Sequence, residues 1–368
     1  MTMRIMQIAP IWERVPPPAY GGTEAVVGLL ADGLVDAGHE VALYASGDSI
    51  TKAELRSIWT FPIRGRFTDA LWPSAVERLH VAAALGDASD FDLIHNHSSE
   101  LAMCFSRLVS TPVLTTLHGG PHPAWGVLVE HYPWYWNAIS YSAARSYQGP
   151  GFVGVAHNSI DVGSFPFSAE KEDWLLHLSR ISPEKGTEDA IEVAKRVGKK
   201  LVIAGKVDRV DERYFREVVE PLIDGTQVVY VGEASALQKR DLYRRAKCLV
   251  LPIKWDEPFG LVIVEAMACG TPVVVMNRGA APEIVRHGIT GFVAANLEEM
   301  SFGIQNIGQI DPHACRQHVA SNFDVYHLVS RYLSLYQEVL AREAAKKVKE
   351  APPTGAASVV ATFPRRTA

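Results

Sequence analysis

The sequence predicts an α/β protein made of two Rossmann-like domains whose parallel sheets face each other across a cleft. Three observations lead there. At 368 residues the chain is too long for one ordinary core. Short, near-continuous apolar runs alternate with helical patterns, as expected of parallel strands covered on both faces. The scheme occurs twice, once in each half.

In the first half, residues 4–9, 40–45, 92–96, 113–117 and 152–156 read as strands. Between the first two, Thr23 is placed to cap a helix with Val26, Val27, Leu30 and Leu34 on one face. In the second half, residues 174–178, 200–205, 228–232, 248–252 and 272–276 read as strands, with a helix over 187–197. Val325, Leu328, Val329, Tyr332, Tyr336 and Val339 repeat at helical spacing and mark a final helix over about 324–342. The expected division is 1–158 and 159–323, with the join near His157-Asn158-Ser159-Ile160-Asp161. Residues 346–368, rich in Lys and then in Pro, Gly, Ala and Thr, are expected to be a disordered tail.

Composition narrows the function classes. With 48% hydrophobic and 21% charged residues the chain reads as a soluble globular protein. A net charge of −5 argues against a nucleic-acid partner, which selects for basic excess. Cys104, Cys248, Cys269 and Cys315 are scattered and form no C-x-x-C pair, so neither a zinc site nor a disulfide framework is indicated. No signal peptide and no run of about 18 apolar residues is present, which points to the cytoplasm. One segment suits peripheral contact with the inner face of a membrane. There Lys52, Arg56, Arg64 and Arg66 interleave with Trp59, Phe61, Ile63 and Phe67.

The chemistry concentrates in Glu257-Pro-Phe-Gly-Leu-Val-Ile-Val-Glu265. Proline suits the first turn of a helix and Gly270 its end. A helix beginning near Phe259, Gly260 and Leu261 leaves N–H groups free at its head, a ready site for a diphosphate. Glu257 stands before that site and Glu265 more than a turn beyond it. The two acids can take hydroxyls on opposite sides of the phosphates, as a nucleotide-sugar requires. Arg180 and Lys185, in Arg-Ile-Ser-Pro-Glu-Lys after a strand, occupy the usual ligand crevice of an open sheet and can stabilise a departing diphosphate. Gly21 and Gly22 precede the first helix and allow close backbone approach. They are not part of a G-x-G-x-x-G, so dinucleotide binding is poorly supported. His95 and His97 form an H-x-H pair. With His118 and His122 they admit a metal reading, but no acidic ligand stands at a supporting spacing, and a crevice lining is preferred. Asp90-Phe-Asp92 has the D-x-D form of a metal motif and reads as punctuation before a strand.

These motifs are similar to those of the retaining glycosyltransferases of family 4, which have the GT-B fold. The E-x7-E of Glu257 and Glu265, the run from Glu265 to Val274, and Asn158-Ser-Ile-Asp-x-x-x-Phe165 carry the resemblance, with Ser159 and Ala280 where the family has glycine. The resemblance implies a final helix that crosses back onto the first domain. It implies a diphosphate held by Arg180 and Lys185, sugar hydroxyls on Glu257, ribose on Glu265, and the base near Val231, Gly232, Glu233 and Leu237. It places Gly21 and Gly22 at the cleft and His118 beside the donor sugar. His97 is expected on the acceptor side. The expected activity is retaining transfer of a hexosyl unit from a nucleoside-diphosphate sugar, a UDP-sugar first and GDP-mannose second. The acceptor would be a saccharide or a lipid-linked one, and no metal or other cofactor is expected. Same-face attack is favoured, with His118 as base of an inverting reaction in second place. A sugar-nucleotide epimerase and a non-catalytic binding protein are the competing classes.

Overall fold

A computed structural model of the chain describes residues 2–18, 21–64, 71–120, 125, 127–128, 135–147 and 149–350. Two parallel sheets organise it. The first contains β1 (Arg4–Ile8), β2 (Glu40–Tyr44), β3 (Glu54–Arg56), β4 (Leu93–Asn96), β5 (Val113–Leu117), β6 (Tyr135–Ala138) and β7 (Phe152–Val155), in the order β3-β2-β1-β4-β5-β6-β7. The second contains β8 (Trp174–Leu178), β9 (Lys200–Ala204), β10 (Val228–Tyr230), β11 (Cys248–Leu251), β12 (Val273–Met276) and β13 (Gly291–Ala294), in the order β10-β9-β8-β11-β12-β13. In each sheet the leading strand lies inside, and the strand order reverses beside it. That reversal opens a ligand crevice at the strands' carboxyl ends. This is the GT-B arrangement expected from the sequence.

Every strand read from the sequence is present to within two residues at its ends. Three others were not read. β3 is three residues long with a charge at each end, and β6 places Asn137 among aromatic residues. β13 is a short edge strand following a turn. The expected cap at Thr23 is corrected. The first helix runs Gly22–Asp36, its N-cap is Gly21 at φ 144, and no side chain caps it. Only glycine adopts that conformation readily, which frees Thr23 to sit inside the first turn.

The terminal helix, Val325–Glu350, returns to the first sheet. Its Leu328, Tyr332, Tyr336 and Val339 pack with Val26, Leu30 and Leu34 of the first helix and Ile5 and Leu43 of the sheet. Because this helix continues through Glu350, structure does not end at Ala345 as expected. Residues 351–368 of the expected tail lie outside the described residues, as do His122, Arg66 and Phe67. The two chain crossings between the sheets lie side by side, with the Ile160 amide donating to the Phe323 carbonyl at 2.9 Å.

The membrane-contact segment looks different in three dimensions. Lys52 pairs with Asp36, Arg56 with Glu54 and Asp87, and Arg64 faces Glu13, while Ile63 is buried. Among the described residues of the segment, Lys52, Arg56 and Arg64 are thus each matched by a carboxylate. Among the described residues no helix is long and apolar enough to cross a membrane. Cys248, Cys269 and Cys315 are buried free thiols, and burial pushes each up to about 12.

The return of the terminal helix depends on Gly33. A Cβ built there would lie 2.6 Å from Val329 Cγ2. Gly33→Leu is therefore expected to force the two helices apart and cost about 1–3 kcal/mol, the usual penalty of overpacking. Urea unfolding checks this, and an unchanged midpoint would show that the contact yields freely.

Candidate functional site

A cleft of about 700 Å³ opens between the two sheets, well within the size of small-ligand sites, which run about 300–1,000 Å³. Two helix heads meet across it. From the first domain, Gly21 and Gly22 start the helix Gly22–Asp36. From the second, Gly260, in the left-handed region at φ 86, turns the chain into the helix Leu261–Ala268. A Cβ on Gly22 would lie 3.3 Å from Leu261 Cδ1, so glycine sets this approach. Both helices direct their positive ends and unpaired N–H groups toward one space, which suits an anion. The sequence located the second head to within two residues.

The charged side chains around that space are already paired. β8 delivers Arg180, whose guanidinium lies on Glu184 and reaches Asp211 at 3.3 Å and Asp208 at 3.7 Å. Burial raises the Asp211 carboxyl above its ordinary range. Lys185 places Nζ 2.5 Å from Glu257 Oε2 and 4.8 Å from the centre of the Trp255 ring. The Trp255 indole N–H donates to the same Glu257 oxygen at 3.0 Å. The backbone of Glu257 is gripped from below, since its carbonyl accepts from the Ala280 amide at 2.8 Å. Gly279, at φ 56, permits this, because a Cβ there would stand 2.3 Å from the Glu257 backbone. The Gly279–Glu283 turn is thus a support for Glu257. Its Glu283 also reaches across to the first domain and accepts from the Tyr141 and Ser142 amides at 2.8 and 2.5 Å.

Glu265 is buried behind the helix head. Both its oxygens lie 3.3 Å from Lys239 Nζ, and the Tyr243 hydroxyl donates to Oε2 at 2.8 Å. Burial, with Glu265 beside it, holds the Tyr243 phenol well above its ordinary value. Sequence reasoning missed Lys239, Tyr243 and Trp255. Trp255 stands two residues before Glu257 and was within reach. Lys239 and Tyr243 share one face of the helix Ala236–Arg245 by i,i+4 spacing, but nothing local tied that face to Glu265.

The residues expected near the base divide between the cleft wall and the surface. Glu233, Ala234 and Ala236 line the cleft together with Gly205 and Lys206, whereas Val231, Gly232 and Leu237 are absent from its lining among the described residues. Val231 and Leu237 face solvent, and Gly232 uses its carbonyl to accept from the Gly205 amide at 2.8 Å. The Ser235 cap sets the rotation of the helix Ala236–Arg245 so that Leu237 points outward.

On the first-domain wall His118 borders the cleft and also a smaller cavity behind it. His118 Nε2 and His97 Nδ1 are 2.9 Å apart, and His97 Nε2 donates to Gln7 Oε1 at 2.7 Å. With that proton on Nε2, His97 Nδ1 accepts from His118 Nε2. His118 Nδ1 is then a lone pair, and it is buried with no hydrogen-bond partner. Gln7 Nε2 donates to the Tyr336 hydroxyl, which also contacts His95 Nδ1 at 2.7 Å, and His95 Nε2 meets Thr116 Oγ1 at 2.7 Å. The H-x-H pair is therefore the middle of a buried hydrogen-bonded ladder. Among the described residues no group of three or more His, Cys, Asp or Glu is placed to hold a metal ion. Asp92, just before β4, accepts from the Arg4 amide at 2.8 Å.

Burial pushes His80, His118 and His177 down to about 4, and His95 and His97 well below their ordinary value. The folded chain therefore binds fewer protons at these rings than the unfolded chain does near pH 6.5. Their contribution to stability is whole above that pH and is lost as pH falls toward 4. Glu24, pushed up to about 7 by burial, works in the opposite direction but is one group against five. The urea midpoint is expected to fall steadily from pH 7 to pH 5. A midpoint that rises over this window would contradict the neutral ladder.

Two family models match the chain. Residues 20–150 match Glycosyltransferase Family 4, and residues 164–306 match glycosyl transferases group 1. Together they span well over half of the sequence. The chain is 28% identical to a glycogen synthase of Mycobacterium tuberculosis, over 88% of this chain and 91% of that one. It is 25% identical to an uncharacterised glycosyltransferase of Methanocaldococcus jannaschii, over 88% and 95%. Among solved structures it resembles a glycosyltransferase involved in avilamycin A biosynthesis, with a TM-score of 0.71, 24% identity, and 92% and 98% of the two chains covered. It also resembles an Anabaena protein in complex with UDP and glucose, with a TM-score of 0.71, 20% identity, and 91% and 100% covered.

Proposed function

The chain belongs to glycosyltransferase family 4, and on that premise we propose that it transfers a hexosyl unit from a nucleoside-diphosphate sugar with retention of configuration. The observation that carries this is the meeting of two helix heads in one cleft that also gathers Arg180, Lys185, Glu257 and Glu265. The diphosphate takes the helix head at Leu261, with Arg180 and Lys185 turning from their carboxylates onto it. Glu257 accepts sugar hydroxyls, and Glu265, held by Lys239 and Tyr243, accepts those of the ribose. A UDP-sugar such as UDP-glucose is the first choice of donor and GDP-mannose the second. The Anabaena neighbour's complex with UDP and glucose favours that order.

In the reaction the bond between the anomeric carbon and the diphosphate oxygen breaks, and its electron pair leaves with the nucleoside diphosphate. The acceptor hydroxyl bonds to that carbon on the same face, through an oxocarbenium-like state. Its proton passes to the departing phosphate oxygen. A His118 ring kept neutral by burial is a weak base, which supports a positioning contact over proton abstraction. The acceptor is a saccharide or a lipid-linked one, and the reaction belongs to polysaccharide or glycolipid synthesis. The three buried free thiols fit a reducing compartment, and we place the enzyme in the cytoplasm.

Two tests follow from the pairing geometry. Glu257→Ala is expected to lower turnover by roughly 100-fold, the order lost with one electrostatic stabiliser. UDP affinity should be unchanged or higher, because Lys185 is released. Glu265→Ala leaves Lys239 and Tyr243 without their partner and is expected to weaken UDP itself. Calorimetry with UDP, beside initial rates, separates the two, and equal loss of UDP affinity in both would overturn the assignment. Because fixed cations can stabilise the leaving group, activity is expected to persist in excess EDTA. Abolition by EDTA with recovery on adding manganese or magnesium would assign a metal to the site.

A further inference from the structure

We propose that Glu283 is a positioning residue for the transfer: it clasps the first domain and, through the turn it stands on, sets Glu257 only while the two domains are together. The proposal rests on the reading of Glu257 as the contact to the donor sugar. Glu283 follows β12 of the second sheet, whereas its partners Tyr141 and Ser142 follow β6 of the first. Its two oxygens take one amide each, and Ser140 Oγ takes the next, that of Ala143, at 2.9 Å. Three successive N–H groups at the start of a helix are thus satisfied, two of them from the other domain.

The chemistry of a carboxylate makes the clasp conditional on closure. The Glu283 side chain is 17% exposed. Burial by itself would raise its carboxyl, yet His157 at 3.4 Å and the two amides hold it below its ordinary value. When the domains part, the carboxylate loses both amides and has to turn toward water, because a mostly buried charge without partners carries a large desolvation penalty. That movement acts on the short helix Ala281–Ile284, whose Ala281 and Ile284 are buried, and on the turn before it. The turn is bonded to Asp256 and Glu257 together. The Gly279 amide donates to Asp256 Oδ1 at 3.3 Å and the Ala280 amide to the Glu257 carbonyl at 2.8 Å. A second path runs through His157, whose ring centre lies 6.1 Å from that of Phe259, the residue before the Gly260 helix head. Both paths end at groups that receive the donor. Close-packed elements shift as units, so separation displaces Glu257 and not Glu283 alone.

The test uses the full chain as wild type, Glu283→Gln, Tyr141→Pro and Tyr141→Ala. Glutamine keeps the size but offers one acceptor oxygen in place of two and sets an NH₂ group against an amide. Tyr141 is the first residue of its helix, where proline is tolerated and removes the N–H, whereas alanine removes the ring and keeps the N–H. Hydrogen exchange read by mass spectrometry over residues 279–283 reports on the Ala280 amide. Glu283→Gln and Tyr141→Pro are expected to speed it by about tenfold or more, the order lost with one charge-assisted hydrogen bond, and Tyr141→Ala to leave it unchanged. Calorimetry with UDP and with UDP-glucose on the same samples reads the donor site. The first two variants should lose the extra affinity of UDP-glucose over UDP and keep that of UDP itself, a split that general destabilisation does not produce. Exchange over 279–283 unchanged by Tyr141→Pro would overturn the proposal, as would equal loss of UDP and UDP-glucose affinity. Wild type that binds UDP-glucose no more tightly than UDP would instead count against the sugar role of Glu257, and the exchange measurement would still decide the clasp.

Discussion

Charge in a cleft between two apolar sheets must be neutralised, and most of the site follows from that constraint. The carboxyl edges of both sheets and two helix heads point into one space, which concentrates positive potential there. Arg180 and Lys185 add to it. Each cation is matched by an acid from another part of the second domain: Asp208 and Asp211 for Arg180, Glu257 for Lys185, Glu265 for Lys239. These pairs hold long side chains in place before any ligand arrives. A diphosphate entering the cleft exchanges one set of oxygens for another, so less reorganisation is needed than if the cations were free in solvent.

The first-domain wall obeys the same rule in neutral form. Five buried polar side chains, Gln7, His95, His97, Thr116 and Tyr336, satisfy one another, and the terminal helix supplies Tyr336 and Tyr332. A helix from the far end of the chain therefore helps set the orientation of His118. That helix begins beside the crossing at Ile160, where the two domains are joined. Glu283, on the Tyr141 and Ser142 amides and 3.4 Å from His157, is a third link between the two halves. Movement of one domain on the other would have to break or carry these contacts together.

The supports under Glu257 show how a motif depends on distant residues. Its backbone is fixed by Gly279 and Ala280, its carboxylate by Lys185 and Trp255. Position 280 holds alanine where the resemblance led one to expect glycine, and it still donates its backbone N–H to Glu257. The requirement there is for an amide, which any residue other than proline provides, whereas Gly279 at φ 56 has to be glycine.

The sequence by itself determined the two-sheet α/β architecture, ten of the strands, the helix head at Leu261 and the acids and cations around it. Those features are local. Apolar runs, a proline, a glycine and a fixed spacing between two glutamates are written along the chain, and short-range sterics enforce them. Only the tertiary structure decided the rest. Thr23 does not cap its helix because Gly21 takes a conformation that the spacing of apolar residues does not encode. Leu237 leaves the cleft and Lys239 enters it because a cap at Ser235 fixes the rotation of that helix. The pairing of Glu265 with Tyr243, of His97 with Gln7 and of Tyr336 with His95 joins residues up to hundreds of positions apart. Such contacts arise when buried polar groups must find partners in whatever packing the whole chain reaches, and no local pattern records them.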